Sequence, residues 1–451
     1  MRQDFLGNPV TAVDDAAIAG IDDFIEGFLA YERRAENILA AADAAPDCCL
    51  ANAYAGMLWM LLEAPEAPQR AAAYIARAEA AAGGVTTRER LNVELLRAWS
   101  DDDMPKAIRL ARQIGAEHPH DLAVVKLQQY FDFNRGDFTG MLASVLAVRD
   151  ANRDLAYIHG MAAFAFEQCH LLEEAERSAH RALELQRKEP WAQHALAHVY
   201  LTRGQIDDGA WFLEGVADTW TNLNSFMYTH NWWHLAVFYL SQGRDERVLD
   251  IYDKHCWGIV KSYSQDQVGA VSLLARMELA GIDVGGRWSD LADHLRARAA
   301  DTVQPFLSVQ YLYGLARAGR PEAGDLLEAI RRRAATAPHF VRGAWSQAAL
   351  PAAEGLVAHA RGDFATAAAR LADAVPRMIH AGGSHAQRDL FDQFLLDARL
   401  RSGELNLAQQ QLELRRGMDP LSVPINAALA ALYERLGLPE QAAAARGRLE
   451  D

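Results

Sequence analysis

Pro190-Trp191-Ala192-Gln193-His194-Ala195-Leu196-Ala197-His198-Val199-Tyr200-Leu201-Thr202-Arg203-Gly204-Gln205-Ile206-Asp207-Asp208-Gly209-Ala210 reads as a helix, a turn and the start of a second helix. The first run is rich in alanine and leucine, and alanine is the best helix former. Arg203-Gly204-Gln205 is the turn. Counted from Gly204, small residues fall at Ala197 in the first helix and Gly209 in the second, where two antiparallel helices cross.

The same punctuation recurs outward in both directions. Turns of this kind stand at 82–84, 135–137, 242–244, 318–320, 361–363, 402–404 and 436–438. Ala367 after Gly362 and Ala408 after Gly403 repeat the second-helix small residue, and Pro420 ends that last unit. Upstream, the segment from Tyr157 to Lys188 fits with Ala163, Ala175, Ala179 and Ala182. Downstream, Ala236 and Gly243 fit. Helix pairs of about 34 residues are the tetratricopeptide repeat. Alternating Val/Ile/Thr segments are scarce, so strands are not expected. The expected fold is all-α: a tetratricopeptide-like α-solenoid, a right-handed superhelix of antiparallel helix pairs. It is expected to run continuously over residues 1–451, with 150–260 and 380–395 contributing one inner-face site. The repeat degenerates near the N-terminus and at 258–300, where Gly285-Gly286 and Pro305 mark loops. The polar second helix within 424–449 suits a cap.

The chain carries 45 basic and 60 acidic residues, a formal net charge of −15, with 51% hydrophobic and 23% charged positions. That balance speaks for a soluble protein with a large core. It argues against a partner that is nucleic acid, which needs a basic stripe, and against an anionic membrane surface. Cys48, Cys49, Cys169 and Cys256 fit no zinc knuckle or redox spacing. Without a signal-type N-terminus or a long apolar run, the expected location is the cytoplasm. Oligomeric state is not legible.

Two histidine pairs stand out: His194 with His198, and His230 with His234. Residues four apart share a helix face. By position within their repeats, Tyr157, Glu167 and Trp233 belong near the same inner surface, and Trp191, which falls beside the first pair, is a further ligand-binding candidate. Neutral imidazoles at this spacing can chelate zinc or another divalent metal. The Glu that serves metalloproteases as base is missing, replaced by Ala-Leu-Ala and Asn-Trp-Trp. Two other readings stay open. One is a metal-free pocket for a small molecule or short peptide, with His as acid or base. The other is a set of hydrogen-bonded structural histidines.

Gly382-Gly383-Ser384-His385-Ala386-Gln387-Arg388-Asp389 is the second candidate. Ser384 with Gln387 has the form of a capping box. His385, Arg388, Asp389 and Gln393 make the turn unusually polar, and it is expected to face the histidine pairs. A Ser384–His–Asp389 triad can be drawn on paper, but no Gly-x-Ser-x-Gly elbow accompanies it. His159, and His255 with Cys256 and Trp257, read as packing.

At Trp191-Ala-Gln-His-Ala-Leu-Ala-His198, His230-Asn-Trp-Trp-His234 and Gly382-Gly-Ser-His-Ala-Gln-Arg-Asp389 the sequence resembles the tetratricopeptide-repeat protein 38 family and its bacterial relatives. The resemblance spans most of the chain and implies an all-helical repeat fold. It brings no defining reaction. The leading expectation is therefore a protein binding a small molecule or short peptide through these residues. The alternatives are a hydrolase of an amide or similar polar bond and a protein–protein scaffold. In the hydrolase, His194, His198, His230 and His234 bind metal or act as acid and base, Glu167 or Asp389 orients them, and Arg388 clamps a carboxylate.

Overall fold

The computed structural model describes residues 2–11 and 14–449. From Asp15–Ala30 to Pro439–Gly447 one helix follows another. The one two-stranded ladder among the described residues pairs Arg2–Gln3 with Pro9–Val10. The chain is an all-α protein of antiparallel helix pairs of tetratricopeptide type.

Local chemistry explains where helices start and stop. Asp103, Asp121, Asp137 and Asp363 each accept a hydrogen bond from a backbone amide in the first turn of the helix they precede. At the ends, Gly136, Gly204, Gly243, Gly319, Gly362, Gly403 and Gly437 all adopt positive φ, which costs glycine nothing. These are the turns the sequence marks; the turn at 82–84 is instead a short 3-10 stretch. Helices then pair through small residues. Ala175, Ala179 and Ala182 line the buried face of Leu172–Leu185. A Cβ on Gly209 would lie 2.4 Å from the Phe238 ring, so only glycine permits that approach.

In the irregular stretch, Asp245–Ile251 continues into a π-helical turn, Tyr252–Cys256. Pro305 does not sit within a loop but opens the Pro305–Arg317 helix, where a missing amide hydrogen costs nothing.

The helices form two compact units. The first comprises Met1–Ala195 and Thr219–Met227. Within it the buried Arg88 guanidinium lies 3.0 Å from Asp4 and 3.1 Å from Asp121, tying the N-terminal hairpin to the repeat helices. The second comprises Leu196–Asp218 and Tyr228–Asp451. Its core includes Trp233, Phe238, Tyr311, Trp345 and Phe391. None of the described helices is long and apolar enough to cross a membrane.

Candidate ligand site

In the second unit, three stretches far apart in sequence bring polar side chains together. His198 comes from Pro190–Thr202, His230 and His234 from Ser225–Ser241, and His385 from His385–Ser402. The last helix begins where it does because Ser384 and Gln387 form a capping box. The Ser384 hydroxyl accepts from the Gln387 amide at 3.2 Å, and the Ser384 amide donates to the Gln387 side chain at 2.9 Å. Gly383 before it has φ +79°, and a Cβ there would stand 2.5 Å from the Phe306 ring. That glycine lets the turn close down on Phe306 and fixes where His385 emerges.

The imidazoles pack ring to ring. Centroids lie 4.6 Å apart for His198 and His234, 4.8 Å for His230 and His234, and 5.3 Å for His198 and His385. Trp233 stacks on His230 at 5.5 Å and 5°. His198, His230 and His234 are all buried, at 0%, 8% and 1% exposure. Burial, and secondarily the neighbouring His198, pushes His230 down to about 3, so its imidazole is neutral at physiological pH. One ring nitrogen of each of His198, His230 and His234 lies within 4.8 Å of the others.

Beside Trp233 stands Arg276, whose guanidinium is 5.4 Å from the indole centroid. Arg276 donates to Asp389 at 3.0 Å and to the Ala386 carbonyl at 2.7 Å. Asp389 also accepts from Arg415 at 2.5 Å and from Gln393 at 2.7 Å. Burial alone would raise the Asp389 carboxyl, but Arg415 and then Arg276 outweigh it and hold it well below the usual carboxylate range. Asp389 therefore faces two arginines and stays a carboxylate. Arg388 turns its guanidinium to the Gly383 carbonyl. Among the buried donors of this unit with no hydrogen-bond acceptor in the described residues, three stand together in this region: Trp233 Nε1, Arg276 Nε and the hydroxyl of Ser272, one turn before Arg276.

The remaining candidates belong to the first unit. His194 stacks on Trp191 at 4.5 Å and 19°, and Phe164 lies 5.0 Å from it. Glu167 is fully buried and accepts from Gln168 at 2.6 Å. Tyr157 is buried, and its hydroxyl is pushed up to about 12 by that burial. His159 bonds the Arg153 carbonyl at 2.8 Å. In the second unit His255 stacks on Trp232 at 3.9 Å and pairs with the Tyr228 hydroxyl at 2.7 Å. Arg276, Arg415 and Ser272 are not singled out by sequence. Each sits in an ordinary helical run, and only tertiary packing gives it a role.

No protein-family model matches the chain. Among solved structures, the human IFIT1 dimer with PPP-AAAA is similar at 12% identity, covering 97% of this chain and 94% of that one, with a TM-score of 0.42. An IFIT1 monomeric mutant with Gppp-AAAA follows at 11% identity, 97% and 95% coverage and a TM-score of 0.40. The structure of Naa15/Naa10 bound to HypK-THB matches at 14% identity, 96% and 68% coverage and a TM-score of 0.25. One expectation is corrected here. The acidic balance argues against nucleic acid, yet the matched IFIT1 structures hold PPP-AAAA and Gppp-AAAA. The physical reason is that a net charge sums the whole chain and does not measure the potential at any one surface.

Proposed function

We propose that this tetratricopeptide-type protein binds a small, acceptor-rich molecule, a carboxylate or phosphate compound, against the His198, Trp233, Arg276 and His385 face of its second unit. The observation that carries the reading is the pair of buried donors, Trp233 Nε1 and Arg276 Nε, that meet no acceptor. A buried donor left unmade costs about 1–3 kcal/mol. A ligand oxygen reaching either group would satisfy that donor, and a carboxylate or phosphate has oxygens enough for both. The depth of these groups favours a small molecule over an extended peptide: Trp233 and Arg276 are each 2% exposed. The resemblance to the tetratricopeptide-repeat protein 38 family supports a shared site, since the quoted motifs hold His198, Trp233 and His385.

Hydrolysis of an amide or similar bond is the second reading. Its support is the 5.3 Å separation of His198 and His385, two imidazoles near enough to exchange a proton through one bound group.

The test is thermal denaturation of the full chain against phosphate, citrate, glutamate, glutathione and a set of dipeptides. A ligand that binds the folded state raises Tm as its concentration passes Kd. At least one probe is expected to raise the wild-type Tm, and Trp233→Phe, which keeps the ring but loses the indole donor, is expected to abolish that rise. The reading fails if no probe shifts the wild type, or if Trp233→Phe responds as the wild type does.

A further inference from the structure

We infer that His198, His230 and His234 form a binding site for a single divalent transition metal of the zinc class. The proposal names a further occupant of the histidine face and does not require the organic ligand. The argument is geometric. His230 and His234 are one turn apart on one helix, and His198 reaches them from another helix of the same unit. One nitrogen of each ring lies within 4.8 Å of the others. A tetrahedral ion held at about 2.0–2.1 Å from each nitrogen separates those nitrogens by roughly 3.3 Å. The difference is at most about 1.5 Å, a distance shared between two imidazoles that can each turn about their side-chain torsions.

The chemistry of the donor set agrees. A neutral imidazole offers one acceptor nitrogen. Three imidazole nitrogens converging in one buried place match the donor set of a single cation. Imidazole favours zinc, copper, nickel and iron over magnesium and calcium. Their surroundings are aromatic, Trp233 lying against both His230 and His234, so the nitrogens are not exposed to bulk water. Three imidazole ligands match the number that protein side chains supply in catalytic zinc sites.

The experiment strips the full-length protein with a chelator, loads it with cobalt(II), dialyses it and measures bound metal and visible absorption. The expected result is about one equivalent of cobalt per chain with the intense bands of a tetrahedral nitrogen-rich site. His198→Asn and His234→Gln should each weaken binding at least about 100-fold, while His180→Gln, on the exposed face of another helix, should not. Circular dichroism checks that each variant folds. Should both site variants unfold, the wild-type spectrum still decides. Sub-stoichiometric cobalt, the weak spectrum of water-ligated octahedral cobalt, or full retention by folded His198→Asn and His234→Gln would overturn the proposal. Phosphate or peptide binding that persists in metal-free protein separates this outcome from the organic-ligand reading.

Discussion

The Arg276 guanidinium lies 3.0 Å from the Asp389 carboxylate, across 113 residues of sequence. Asp389 in turn holds Arg415. One carboxylate thereby joins Ser264–Leu279, His385–Ser402 and Leu405–Met418, and it sets the position of the guanidinium beside Trp233.

Asp389→Asn should destabilise the protein. It leaves two largely buried arginines short of a counter-charge, and removing one partner of a buried pair costs about 3–5 kcal/mol. Asp389 keeps 34% side-chain exposure, so about 2–3 kcal/mol is expected after solvent screening. Urea denaturation measures it. Because the folded carboxyl titrates below its unfolded value, its contribution is complete above the unfolded range and fades as pH falls through the folded value. The gap between wild type and Asp389→Asn should therefore narrow only in strong acid.

Glu189 gives the opposite sign. Burial pushes its carboxyl up to about 7, against the opposing pull of the Ala192 amide it accepts from and of Lys126. A raised carboxyl stabilises the fold below its unfolded pKa, near 4.5, and loses that contribution as pH rises through about 7. Glu189→Gln, which keeps an acceptor for the Ala192 amide, should flatten the dependence of Tm on pH between 4.5 and 7. The span is worth at most about 3 kcal/mol. Scanning calorimetry of both proteins across that window checks it; equal slopes would contradict it.

Gly383→Ala should disturb the His385 turn from both backbone and packing. The residue holds φ +79°, and a Cβ would press on Phe306 at 2.5 Å. Left-handed strain and overpacking together amount to roughly 2–4 kcal/mol. Ser384→Ala, which removes the cap but keeps the turn, should cost only about 1 kcal/mol. Comparing the two denaturation midpoints distinguishes turn geometry from capping.

The helix pairs were legible because their causes are local. A glycine at positive φ after an alanine-rich run is written in the sequence, and Gly204, Gly243 and Gly362 stand where that reading places them. His385 stands 5.3 Å from His198; the polar Gly-Gly-Ser-His turn marks His385 in the sequence, and four-residue spacing within an alanine-rich helix marks His198. Arg276 and Arg415 were not legible. Arg276 lies in Leu-Leu-Ala-Arg-Met-Glu and Arg415 in Leu-Glu-Leu-Arg-Arg, both ordinary for a helix surface. Their partner Asp389 is fixed by tertiary packing, which no spacing rule encodes. Tyr157, Glu167 and His194 lie in the first unit, where Glu167 accepts from Gln168 and His194 stacks on Trp191.

The most direct test of the central claim is the indole N–H resonance of Trp233 in a ¹⁵N–¹H spectrum of the full chain, assigned as the peak missing from Trp233→Phe. On adding phosphate, citrate or glutamate in turn, that resonance is expected to shift and saturate with at least one of them, as an acceptor oxygen reaches Nε1. The contradicting result is a Trp233 indole peak that stays fixed through all three titrations.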